Sequence, residues 1–288
     1  MVIKKELKKV GQKNKKMNGL KKSFKRFLFL AILHIFSSCT AQSNSFWNGK
    51  QCAVVLTYDD SLKEHLENVI PSLNKHNLKA TFYIIGSSEA FVNRKIDWKD
   101  AAKKGHELGN HTLMHPCANI QKRKVQLPPE KDLNNYSLQK VVDEIKITNN
   151  LLHQIDGKSE RTFAFPCGQT KVNDTLFYPY VKNNFVGARG VKRAMKYVEE
   201  VELENINAYG MKGHTGVEMI ELVKQAMSKN KLLVFLFHGV GGGSSLNVEM
   251  AEHDKLVDFL AINKNKIWVA PMVEVAKFVK TNKQSINK

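Results

Sequence analysis

Residues 52–60 read Cys-Ala-Val-Val-Leu-Thr-Tyr-Asp-Asp, an apolar and β-branched run that stops on two adjacent carboxylates. A short run of this kind, closed by polar residues, predicts a buried strand over Cys52–Tyr58. The same punctuation recurs along the chain. Strands are predicted over Ala80–Ile85 (stopped by Gly86), Thr162–Phe165, Phe185–Ala188 and Leu232–Phe237. A weaker one lies near Ile206–Tyr209, a last one over Ile267–Ala270, and His106–Asn110 leads into a pair of histidines.

Amphipathic stretches separate these runs. Leu62, Leu66, Val69, Ile70 and Leu73 share one side of a helix that Ser61 is expected to cap, with Glu64 as its capping-box partner. Pro71 is expected to kink or shorten it. Ser137–Ile155 is the clearest helix, and others are predicted over Trp98–Lys104, Thr215–Ser228 and Val248–Asn263, with Pro271 opening the last. Strand–helix alternation implies parallel strands with helices outside. Barrels of this class place their chemistry at the C-terminal ends of the strands.

The polar residues at those ends fall into four groups. They are Asp59-Asp60, His111 with His115, Phe165-Pro166-Cys167-Gly168, and His238 after the apolar run 232–237. Each alone has an ordinary reading: a turn or helix cap for the aspartates, surface positions for the histidine pair, a hydrogen-bonded structural imidazole for His238. His111 and His115, four apart, share one face if their segment is helical. Together the groups supply one carboxylate and two imidazoles for a divalent cation, and leave a carboxylate and an imidazole as proton carriers. A cation with two imidazoles and one carboxylate keeps positions open for water and substrate, as a catalytic site requires.

The formal charge of +18 is concentrated at the front: residues 1–26 hold eleven Lys or Arg against one acid, Glu6. The remaining +8 is spread over the rest without a basic-aromatic motif, so no nucleic-acid partner is expected. Phe27–Phe36 is apolar except for His34, too short to span a bilayer and placed as in a secretory signal. Met17 is a candidate start. Ser37-Ser38-Cys39 resembles a bacterial lipobox, which would lipidate Cys39; a cut after Ala41 would instead release a soluble exported protein. The domain division is thus a leader over 1–39, a linker over 40–50, a catalytic domain over 51–282 and a tail over 283–288. Cys52, Cys117 and Cys167 lack metal-knuckle spacing. Cys117 and Cys167 both fall in candidate site loops, and their spacing leaves open whether they meet.

In order and spacing the four groups resemble the polysaccharide deacetylases, carbohydrate esterase family four, over roughly residues 50–280. The family's motifs read T-F-D-D, H-[ST]-x-x-H, R-x-P-[YW]-G and L-x-x-H. The resemblance implies a distorted seven-stranded (β/α) barrel and metal-dependent removal of N-acetyl groups from an amino-sugar polysaccharide outside the cytoplasm. It makes Asp59 the general base, His238 the general acid and Asp60, His111 and His115 the ligands of zinc or another divalent first-row metal. Pro166 and the Cys167 N–H would stand at the oxyanion and substrate position. An O-acetyl esterase on the same fold and a non-catalytic carbohydrate-binding lipoprotein are the alternatives. Three departures stand out. Ala164 occupies the place of the third-motif Arg, for which Arg161 and Arg189 are the candidate replacements. The family's acidic fourth motif has no placed counterpart, and Ser61-Leu62 replaces the common Gly-Pro.

Overall fold

The structure, a computed structural model, describes residues 47–120 and 126–286. The leader, both expected processing points and the first part of the linker lie outside the described residues. Residues 45–288 form one compact unit. Among the described residues no helix is long and apolar enough to cross a membrane.

Eight parallel strands carry the fold: β1 (Cys52–Tyr58), β2 (Thr81–Ile84), β3 (Glu107–Asn110), β4 (Thr162–Ala164), β5 (Gly187–Arg189), β6 (Tyr209–Gly210), β7 (Leu232–Phe237) and β8 (Ile267–Val269). Seven follow the order β5-β4-β3-β2-β1-β7-β6, and β8 pairs with the first half of β1. Irregular backbone joins the two ends of that order. Ala188 N–H donates to Leu203 O, Ile206 N–H to Ala188 O and Gly190 N–H to Ile206 O, at 2.7, 2.7 and 2.8 Å. The expected distorted barrel is the observed one.

Seven helices accompany the strands: α1 (Ile70–Lys75), α2 (Glu89–Asn93), α3 (Lys95–Lys103), α4 (Leu138–Asp156), α5 (Gly216–Ser228), α6 (Met250–Ile262) and α7 (Met272–Ile286). Both faces of β1 are buried. Cys52, Val54, Leu56 and Tyr58 pack in one core with Met219 and Val223 of α5 and Leu256 and Leu260 of α6. Ala53 and Val55 pack in a second core with Val234, Leu236 and the α7 residues Val275 and Val279. Strand side chains alternate, so Asp59 has the parity of Ala53 and Val55 and belongs to their face. Each such buried aliphatic side chain stabilises the fold by roughly 1.5–3 kcal/mol.

The ends of the helices follow their sequences with one exception. Ser137 Oγ accepts from Lys140 N–H at 3.1 Å to cap α4, and Gly157, at φ 70°, ends it. Thr215 and Glu218 form the capping box of α5. Ser61, expected to cap the helix after β1, does not: its Oγ instead accepts the Ile85 N–H at 2.8 Å. That helix opens later, behind Glu64, as a π-helical turn (His65–Val69) that runs into α1. Pro71 is the second residue of α1, directly after that π-helical turn, so the expected irregularity falls just ahead of it within a continuous helical stretch.

Candidate metal and proton-transfer site

β1 delivers both aspartates. The Asp59 N–H still belongs to the sheet, donating to Phe237 O at 2.9 Å. The chain then turns sharply: Asp60 and Ser61 have φ of 77° and 53°. These are left-handed values that side chains rarely adopt, at the position where the family usually has glycine. The turn lets two neighbouring carboxylates serve the same site, although strand geometry alone would part them. The Ser61–Ile85 bond holds it against β2.

His111 and His115 come from the loop after β3, and this loop is not helical. Thr112 and His115 have φ of 64° and 55°. Asn110 Oδ1 accepts Thr112 N–H at 2.8 Å, Thr112 Oγ1 accepts His115 N–H at 2.9 Å, and Glu144 of α4 accepts Met114 N–H at 3.1 Å. The two rings converge through this turn, with centroids 4.7 Å apart. His111 Nε2 and His115 Nε2 lie 3.6 and 3.4 Å from Asp60 Oδ1. His111 Nδ1–H donates to Ala164 O at 2.8 Å, so its Nε2 presents a lone pair to the carboxylates.

This set suits a cation. Asp60 Oδ1 and Asp59 Oδ1 are buried without a hydrogen-bond partner. Burial lifts the Asp60 carboxyl above its ordinary value, with His115 opposing. Burial also pushes His111 down to about 3 and lowers His115, which keeps both imidazoles in the neutral, ligating form. A second group, His115 with Cys117 and Cys167, has ligand spacing too, but its two sulfurs are joined as a disulfide.

Asp59 is held differently. Burial would raise its carboxyl, but the charge of Arg189 and a hydrogen bond from its Nη2 hold it below the usual carboxylate value. Both partners are buried. Arg189 lies over the Tyr83 ring, 5.1 Å from its centroid, and Tyr83 fits because residue 109 is glycine: a Cβ there would come within 2.5 Å of the ring. Arg189 ends β5 in register with Ala164 of β4. The guanidinium that the family carries on one strand thus arrives from the next. Arg161, the other candidate, points elsewhere, donating to Leu108 O at 2.7 Å and pairing with Asp156 at 3.1 Å.

His238 follows β7, whose Phe237 is in register with Tyr58 of β1, so it leaves the sheet beside Asp59. Its backbone is pinned by His65, a buried residue that the sequence presents as one more helical position. His65 Nε2–H donates to His238 O at 2.7 Å, and burial pushes the His65 imidazole down to about 4.

Pro166 and Cys167 form the turn after β4. Cys167 has φ 53°, and the turn's own hydrogen bonds, Gly168 N–H to Phe165 O and Gln169 N–H to Pro166 O, leave the Cys167 N–H unused. The Cys117–Cys167 disulfide, across 50 residues, ties this turn to the loop after His115. With Asp60 and His115 the two cysteines line one cleft. Closing a loop of that length should stabilise the fold by roughly 4 kcal/mol. Replacing both cysteines with serine should therefore lower the denaturation midpoint markedly; an unchanged midpoint would show that the bridge constrains little.

Residues 48–185 match the family model for polysaccharide deacetylase. An uncharacterized protein, YlxY, of Bacillus subtilis is 31% identical over 106 residues, 36% of this chain and 28% of that protein. A peptidoglycan-N-acetylglucosamine deacetylase of Bacillus cereus is 27% identical over 143 residues, 49% of this chain and 46% of the relative. The chain thus spans less than half of the length of these relatives. A crystal structure from Mycobacterium smegmatis, of a protein assigned to the polysaccharide deacetylases, superposes with a TM-score of 0.57. It covers 82% of this chain and 92% of its own at 13% identity, and so shares the fold. Over residues 48–185, just under half of its length, the chain is similar to the polysaccharide deacetylase family.

Proposed function

We propose that this chain is a metal-dependent hydrolase that removes N-acetyl groups from an amino-sugar polysaccharide outside the cytoplasm, exported and anchored as a lipoprotein through Cys39. The observation that carries the reading is the division of labour between the aspartates. Asp60 lies with His111 and His115, all ligand atoms within 4.8 Å of one another, while Asp59 is reserved by Arg189.

A divalent cation on Asp60, His111 and His115, zinc or another first-row metal, would acidify a water and polarise the acyl oxygen. Asp59, kept ionised by Arg189, takes the proton of the attacking water. The Cys167 N–H donates to the oxygen that gains charge as the carbonyl becomes tetrahedral. His238 hands a proton to the departing amine. Acid and base each contribute roughly 10²–10⁴-fold.

Stripping the metal with a chelator should abolish acetate release from peptidoglycan or chitin oligomers, and zinc should restore it. No release from these or from acetylated xylan, with zinc bound, would sink the proposal. O-deacetylation is the second reading. An alcohol leaves more readily than an amine, so His238→Ala should cripple amide cleavage far more than ester cleavage. Equal losses on both would remove His238 from the acid role. The non-catalytic reading drew its support from Ala164, and Arg189 supplies the charge missing there.

A further inference from the structure

The charge outside the leader looks diffuse in sequence, yet the fold gathers much of it. Parallel strands put all their N-terminal ends at one pole, opposite the candidate site. The turns entering the strands there are rich in lysine. Lys79, Lys104 and Lys158 precede β2, β3 and β4 and surround His106, whose imidazole is pushed down to about 3 first by burial and then by these three charges. Lys50 precedes β1, Lys229 and Lys231 precede β7, and Lys264 and Lys266 precede β8. None of these eight lysines has an ion pair among the described residues, although Lys50 Nζ donates to Asn265 O at 3.3 Å and Lys231 lies over the Tyr197 ring.

Acids at this pole are largely spent. Glu160 is paired with Lys277, Asp156 with Arg161 and Glu204 with Lys182. Glu199 and Glu202, in the segment ahead of β6, and Glu274, which shares a small cleft with Glu107 and Lys158, remain against the eight lysines. Ile262, at the end of α6 beside Lys264, is an exposed aliphatic on the same rim. The chain also enters here: Trp47 is buried, and its Nε1–H donates to Asn230 O at 2.9 Å, between Lys229 and Lys231. Residue 47, the first of the described residues, thus stands at the lysine-rich pole. The preceding sequence holds the basic run and the apolar stretch 27–36.

We propose that this pole is a docking face for a bilayer rich in anionic phospholipid headgroups, and that it turns the candidate site away from the membrane. The proposal does not depend on the catalytic reading. Unpaired lysines near an anionic surface each multiply partitioning by roughly fivefold, and the attraction is screened within a Debye length. With its mouth turned outward, the site would meet polymer standing off the membrane rather than sugars attached to lipid.

The test uses residues 45–288, a compact unit that lacks the leader, and vesicles of phosphatidylcholine with or without phosphatidylglycerol. Sedimentation with the anionic vesicles and not the neutral ones is expected, weakening as salt rises. Lys79→Gln, Lys104→Gln, Lys229→Gln and Lys264→Gln combined should lower partitioning by at least about tenfold. Lys95→Gln, Lys99→Gln and Lys146→Gln, on exposed helix positions, should lower it much less. Thermal melts of each variant separate a lost surface from a lost fold. Absence of binding to anionic vesicles at low salt would overturn the proposal. So would equal losses per lysine in the two variants, or equal binding to soluble polyglutamate.

Discussion

Asp59→Asn should reduce turnover by roughly 10²–10⁴-fold while the protein still binds its cation. The substitution keeps size and shape and removes the ability to take a proton. Asp60, His111 and His115, which supply the three clustered ligand atoms, are untouched. Acetate release and calorimetric titration with zinc read the two halves separately. A variant with wild-type turnover would mean that another group takes the proton. Turnover and cation affinity lost together would make Asp59 a ligand, a possibility its 3.8 Å approach to His111 makes worth measuring.

Arg189→Met should be costlier to the protein as a whole. It leaves the Asp59 carboxylate buried and unpaired, and breaking a buried pair in this way costs about 3–5 kcal/mol. It should also reverse the titration. In the wild type Asp59 is depressed, so its pairing contributes stability above the ordinary carboxylate value, and that contribution is lost as pH falls through the depressed value. Without Arg189, burial dominates and the carboxyl rises. The acid limb of the pH–rate profile should then move to higher pH, and stability should no longer fall with acid in that window. Arg189→Lys should recover part of the charge but not the planar fork. An unshifted acid limb in a folded Arg189→Met protein would show that Arg189 does not act through Asp59.

Much of this was legible in the sequence, and the illegible parts share a cause. β1 and β7 were plain because both faces of each are buried and their residues are continuously apolar. β5 and β6 are three and two residues long, and the backbone joining them follows no periodicity. The carboxylates and imidazoles stood out because each ends an apolar run or has a fixed spacing. Choosing Arg189 over Arg161 required the register that sets it beside Ala164. A basic residue at a strand's C-terminal end was the available signal, but the predicted strand stopped at Ala188. The Cys117–Cys167 link crosses 50 residues, and nothing local announces it. Ser61 looked like a cap because local chemistry favours one, and a tertiary bond to Ile85 took its hydroxyl instead.

Arg189 stands on the strand beside which the barrel is laced by three irregular bonds, whereas Asp60 and the two histidines ride on β1 and β3 in the middle of the sheet. Breathing at that lacing would unhook the guanidinium before it disturbed the cation's ligands. On the proposed reading, mild heat or denaturant would then silence turnover in molecules that still hold a cation, and metal content would be a poor gauge of how many remain working.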